Sequence, residues 1–206
     1  PMADSADPAD KPLDPAALLK EQVSERMKKR IAELRSKIAG LERELEDRLG
    51  AEATIALALE GEGGGTWYVN VKNGEAAIES TPASPPLLSI HQTVDAFRRG
   101  AAAGQSGLGG PGGNQELTKS RVQRMKALKG SVEFRMTEAS GGDLSVVICF
   151  GGVEKPATPQ TTISVKAADA KKMGTGELNP QVAFMQGALK ISGDAAFAMQ
   201  VGMAMM

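Results

Sequence analysis

Residues 176–206 read GELNPQVAFMQGALKISGDAAFAMQVGMAMM, and this stretch decides the fold. Asn179 followed by Pro180 places a side-chain acceptor before a proline at the first helical position, which predicts a helix over 179–186. Its apolar residues are Val182, Phe184 and Met185, and Gly187 stops it. Leu189 and Ile191 alternate with polar neighbours, so 188–192 is a predicted strand. Gly193 breaks that strand, and Asp194 caps a last helix through Met206. Between 195 and 206 only Gln200 is polar. A helix that is apolar nearly all round is buried or covers an apolar cavity, and flexible Met side chains let such a cavity reshape.

Working upstream, Thr161–Lys166 is a predicted strand followed by a short helix over 167–173. Leu144, Val146, Ile148 and Phe150 alternate, with Val147 and Cys149 on the opposite face, which predicts a strand buried on both sides. Gly141-Gly142 and Gly151-Gly152 bound it as turns. Val132, Phe134 and Met136 make the preceding strand. A helix is predicted over 116–129, with Val122, Met125 and Leu128 on one face. Its basic residues Lys119, Arg121, Arg124, Lys126 and Lys129 read as a solvated face, with acidic lipid headgroups as the other reading.

The glycine-rich run 104–114 reads as a linker. Before it lies a second β-rich stretch. Ile55, Leu57 and Leu59 alternate, then Trp67 (expected inward), Val69 and Val71. Asn73-Gly74 is a two-residue hairpin turn, with Ala76 and Ile78 after it. Leu87–Ile90 is a predicted strand, and His91–Ala103 a predicted helix with His91 on the surface at its start. Helix, hairpin, Pro-containing link, strand and helix occur in the same order on both sides of the linker. Leu88-Ser89-Ile90 corresponds to Ile163-Ser164-Val165, and Gly64-Gly65 to Gly141-Gly142. This order predicts an internal repeat whose first copy lacks a counterpart of 179–206.

The N-terminal fourth differs. Residues 1–14, with Pro1, Pro8, Pro12 and scattered Asp, read as a disordered lead. Asp14-Pro15 starts a helix that runs to Leu49 and ends at Gly50. Met27, Ile31, Leu34, Ile38, Leu41 and Leu45 are spaced by alternating fours and threes, a heptad seam that Leu19 and Val23 extend. The helix either packs on its own domain or forms a coiled coil that makes a homodimer through residues 15–49.

Composition removes several classes of function. The 24 Lys and Arg balance 25 Asp and Glu for a net charge of −1, which argues against a nucleic-acid partner held by bulk charge. Cys149 is the only cysteine and His91 the only histidine, so intramolecular disulfides, Cys-cluster zinc sites and His-rich metal sites are excluded. No paired carboxylates, triad or metal set suggests catalysis, and no cofactor is implied. Cys149 reads as an inert core thiol. No run reaches the ~20 apolar residues of a membrane span, and the N-terminus lacks a signal-peptide pattern. The expected location is cytoplasmic.

The residues of the opening stretch resemble the sterol carrier protein type two (SCP-2) family of lipid-binding domains. The matching positions are Gly176, Leu178, Asn179, Pro180, Gln181, Ala183, Phe184, Gln186, Gly187, Leu189, Lys190, Ile191, Gly193 and Ala198-Met199, in the family's order and spacing. The resemblance covers about 115–206, with 50–103 as a partial copy. It implies an α+β fold with a mostly antiparallel five-stranded sheet covered by helices. It also implies an apolar tunnel for a sterol, fatty acyl chain or phospholipid. By position, Gln186 would be the polar group near that tunnel. Phe184, Met185, Leu189, Ile191, Phe197, Met199 and Met203 would line or close it. On spacing alone the same residues read as core. The partners expected are an apolar lipid and transient contact with a membrane surface. The alternative is a non-enzymatic scaffold that self-associates through 15–49 and whose pocket is filled by its own side chains.

Overall fold

A computed structural model describes residues 14–102 and 117–205. Residues 1–13 of the lead expected over 1–14, the linker over 104–114 and the start of the helix at 116 lie outside the described residues. The chain divides into two compact units, residues 1–46 and 47–206.

The first unit is helical. Asp14 caps α1 (Pro15–Leu19) by accepting from the Ala16 N–H at 3.0 Å. A π turn follows over Lys20–Ser24, and α2 spans Glu25–Leu49. The π turn is the departure from the expected uniform helix. Neither it nor α2 contains a buried residue. The whole seam from Leu19 and Val23 through Leu45 is exposed.

The second unit is built on one sheet. Its strands are β1 (Ala53–Glu60), β2 (Gly65–Lys72), β3 (Glu75–Glu79), β4 (Leu88–Thr93), β5 (Gly130–Thr137), β6 (Leu144–Phe150), β7 (Thr161–Lys166) and β8 (Leu189–Gly193). Helices α3 (Val94–Ala102), α4 (Lys119–Lys126), α5 (Ala167–Thr175), α6 (Pro180–Met185) and α7 (Ala195–Met205) connect or cover them. The order across the sheet is β3-β2-β1-β4-β6-β5-β7-β8. Pairing is antiparallel except between β1 and β4 and between β5 and β7.

The expected five-stranded sheet is therefore corrected to a mixed sheet of eight strands. The cause is a single junction. Leu88 to His91 of β4 pair with Phe150 to Val147 of β6, so the strands on either side of the linker share one ladder. The pairing rule recurs on the two sides. β1 pairs antiparallel with β2 and parallel with β4, while β5 pairs antiparallel with β6 and parallel with β7. Next to β7 lies β8, and in the corresponding place next to β4 lies β6.

Strand alternation sends Ile55, Leu88, Ile90, Val132, Phe134, Ile148 and Phe150 to one face. There they pack with Val122 and Met125 of α4 and Phe197, Val201 and Ala204 of α7. The other face is polar yet partly buried. Thr54, Ser131 and Glu133 are covered there, and Val147 and Cys149 of β6 are buried as expected for a central strand. Asn73-Gly74 makes its turn with φ of 53° and 76°, the positive values that favour Asn and Gly.

Two local expectations change. His91 is not at a helix start; it is half-buried in β4, with Nε2 2.9 Å from Ser89 Oγ. The helix begins three residues later because Thr93 Oγ1 accepts from the Ala96 N–H at 3.0 Å, and a capped start outweighs an uncapped one. Trp67 is half-buried rather than in the core.

Candidate functional site

Residues 180–205 fold as α6, β8 and α7. Asn179 Oδ1 accepts from the Gln181 N–H at 2.8 Å, and Pro180 occupies the first turn of α6. Ala183 is fully buried and anchors that helix. Gly187, at φ 74°, turns the chain into β8. There Leu189 pairs with Val165 and Ile191 with Ile163. Gly193 adopts φ 83°, and a Cβ there would lie 2.5 Å from the Gln160 carbonyl oxygen, so only glycine fits the exit from β8. Asp194 then caps α7. Its Oδ1 accepts from the Phe197 N–H at 2.9 Å, and its Oδ2 accepts from Gln160 Nε2 at 2.9 Å. These hydrogen bonds hold the Asp194 carboxyl below its ordinary value.

This element presents apolar side chains in two directions. Phe197 is 4% exposed and belongs to the core, with Val201 and Ala204 one and two turns on. Met199 and Met203, four residues apart, are 64% and 58% exposed on the outer side of α7. On α6, Phe184 is 53% and Met185 80% exposed, and Val182 is exposed beside them. Leu189 and Ile191 are half-buried on the edge strand that both helices pack against. Gln186 is exposed and serves as the C-cap of α6, its N–H donating to the Val182 carbonyl at 2.9 Å. Of the residues expected to bind a ligand, the structure thus gathers Phe184, Met185, Leu189, Ile191, Met199 and Met203 on one helix–strand–helix element. Phe197 is set inward. Val182 is not among the residues that the sequence reading assigns to a ligand, although its place as an apolar residue of α6 was legible.

On the polar face of the sheet a dense cluster forms around Glu133. Glu133 accepts from Ser145 Oγ at 2.7 Å, Arg135 Nη2 at 2.9 Å and Thr162 Oγ1 at 3.1 Å. Burial alone pushes its carboxyl up. The Ser145 hydroxyl, the Arg135 guanidinium and the Thr162 hydroxyl outweigh that and hold it below the usual range. The cluster is a satisfied ion pair joining β5, β6 and β7. Nothing in the sequence pointed to it, because Ser145 and Thr162 reach Glu133 only through cross-strand register. Nearby, burial and the Lys155 ammonium lower the His91 pKa, with Glu60 opposing. Burial pushes the Cys149 thiol up, which keeps it protonated. Among the described residues no group of three His, Cys, Asp or Glu is placed to hold a metal ion. Among them, too, no helix is long and apolar enough to cross a membrane.

Residues 114–206 match the SCP-2 sterol transfer family. The chain is 27% identical over 174 residues to sterol carrier protein 2 of Gallus gallus, covering 81% of this chain and 28% of that protein. It is 29% identical over 133 residues to hydroxysteroid dehydrogenase-like protein 2 of Xenopus tropicalis, covering 60% of this chain and 31% of that one. The chain therefore spans less than a third of the length of either relative. Among solved structures it is similar to the sterol carrier protein domain 2 of Helicoverpa armigera. That match has 27% identity and a TM-score of 0.31, over 40% of this chain and 70% of that one. The likeness to the SCP-2 sterol transfer family thus lies in residues 114–206, a little under half of the chain.

Proposed function

We propose that this domain binds an apolar lipid at the α6–β8–α7 element, as a carrier without catalytic activity. The ligand class is a sterol, a fatty acyl chain or a phospholipid. One observation carries the reading: Phe184, Met185, Met199 and Met203 are exposed on an element whose inner residues, Ala183 and Phe197, are fixed in the core. A surface of this kind leaves apolar area in water unless something covers it. Each methylene of an acyl chain buried there contributes about 0.8 kcal/mol, so a long chain is held without an ion pair. The Met side chains adapt to ligands of different shape. The same residues would meet the bilayer when lipid is exchanged. Residues 50–103 act in this reading as a partial copy of the domain that supplies β4 as the partner of β6.

The test uses delipidated full chain, incubated with palmitate, cholesterol or a phosphatidylcholine and examined by native mass spectrometry. About one lipid per chain is expected. Phe184→Asp is expected to lose it while keeping the far-ultraviolet circular dichroism of the parent, because the ring is mostly in solvent. Unchanged lipid content in that variant overturns the site. A second reading, a scaffold acting through residues 15–49, is favoured by the exposed seam of α2 and is compatible with the first.

A further inference from the structure

The seam of α2 defines a partner. With Met27, Leu34 and Leu41 at d and Ile31, Ile38 and Leu45 at a, the flanking e and g positions follow from the sequence. Lys28 and Arg35 fall at e, and Arg30 and Lys37 at g. One heptad later the sign reverses, with Glu42 at e and Glu44 at g. The first part of the seam is thus edged by cations and the last part by anions. Gly40 falls at c, away from the seam, and a Cβ there would touch nothing within 4 Å.

The π turn supplies a second observation. Leu19, Val23, Met27 and Ile31 are separated by three successive steps of four. In a straight α-helix each such step overshoots a full turn by about 40°, so the stripe would drift by about 120°. The extra residue accommodated by the π turn at Lys20–Ser24 takes out about 100° of that drift. The rarer helix form brings Leu19 back toward the line of a seam whose residues are all exposed.

We propose that residues 27–45 pair with the same segment of a second copy of this chain as an antiparallel coiled coil. This deepens the scaffold reading and is independent of lipid binding. The layers are Met27 with the other copy's Leu45, Ile31 with its Leu41, and Leu34 with its Ile38, each occurring twice. In this register Lys28 faces Glu42 and Arg30 faces Glu44 across the interface, again twice each. Like charges meet only at the centre, Arg35 with Arg35 and Lys37 with Lys37. A parallel pair in register instead sets Arg30 against Arg35 twice and gains only Lys37 with Glu42. Shifting the antiparallel register by one heptad toward the N-terminus sets Arg30 against Lys37 and Lys28 against Arg35. Shifting it the other way pairs Arg35 with Glu42 and Lys37 with Glu44 but strips Met27 and Ile31 of their partners. Charge selects the orientation, and charge together with the length of buried seam selects the register. On its own helix Arg30 lies 3.4 Å from Glu33 in an exposed pair of little strength, which the partner's Glu44 can share.

The experiment is sedimentation equilibrium of the full chain over a concentration series, with circular dichroism as the control for folding. A monomer–dimer equilibrium is expected, abolished by Ile38→Asp. Arg30→Glu is expected to weaken the dimer about tenfold, since it turns attraction into repulsion at two symmetric places. Adding Glu44→Arg to that variant is expected to restore it. A monomer at every concentration overturns both the scaffold reading and the coiled coil. A dimer that Arg30→Glu tightens or leaves unchanged overturns the proposed register. In the parallel pair the introduced carboxylate would face Arg35, in one shifted register it would face Lys37, and in the other it would face no charge of the seam. A dimer that survives Ile38→Asp places the interface elsewhere and overturns the proposal.

Discussion

Phe184 and Phe197 carry the same side chain into opposite environments, and truncating each tests the placement of the site. Phe197 is 4% exposed and its ring fills the space above Gly130, where a Cβ would come within 2.8 Å of its Cζ. The backbone around that ring is held by the Asp194 cap and by β5, so a vacated site cannot close easily. Phe197→Ala is therefore expected to cost about 3–5 kcal/mol, the range for aromatic truncation in a packed core. Phe184 is 53% exposed. Full burial of such a ring contributes about 1.5–3 kcal/mol, so losing the covered half is expected to cost about 1 kcal/mol. At roughly 2–4 °C per kcal/mol for a domain of this size, melting falls about 10 °C in the first variant and about 3 °C in the second. Urea unfolding followed by fluorescence of Trp67, the only tryptophan, measures both. Equal costs, or a loss below about 1 kcal/mol at Phe197, would refute the assignment of Phe197 to the core and return it to the wall of a ligand space.

The lone imidazole can be followed directly by NMR. Its midpoint is expected below the ordinary value of about 6.5, because burial and then Lys155 disfavour the cation. The unfolded chain then binds the proton more readily, so stability is lost as pH falls through about 6.5. Lys155→Gln is expected to raise the midpoint, and a midpoint at or above about 6.5 in the parent contradicts this account. For Glu133 the sign is that of a depressed carboxyl: its stabilisation is present above the unfolded value of about 4.3 and disappears as pH falls through the folded one. Glu133→Gln is expected to cost about 1–3 kcal/mol at neutral pH and progressively less in acid, as read from urea unfolding at several pH values. A cost that does not change with pH would show that the charge is not what the cluster uses.

Much of the local structure was legible because its causes are local. The Asp14, Asn179 and Asp194 caps, the Asn73-Gly74 turn and the glycine exit at 193 each act within a few residues, and period-two alternation placed the strands of both halves. Where a nearby competitor exists, the local reading slips. Leu87–Ile90 reads as a complete strand, yet the ladders to β1 and β6 carry it on through His91, and Thr93 delays the helix. The ligand set was legible as a list of apolar residues at helical and strand spacing. Spacing could not divide that list into Phe197, which faces the sheet, and Met199 and Met203, which face away. That division depends on which side of α7 meets β7 and β8.

The sequence by itself determined the elements, their order, the heptad seam with its reversal of charge, and the likeness of 115–206 to a lipid-binding family. Each rests on interactions between residues that are neighbours along the chain or on one face of one helix. Only the tertiary structure decided that the strands on both sides of the linker form one sheet and that Glu133 gathers Ser145 and Thr162. Those outcomes depend on strand register and on burial across long separations, where many pairings satisfy the same alternation and packing alone selects among them.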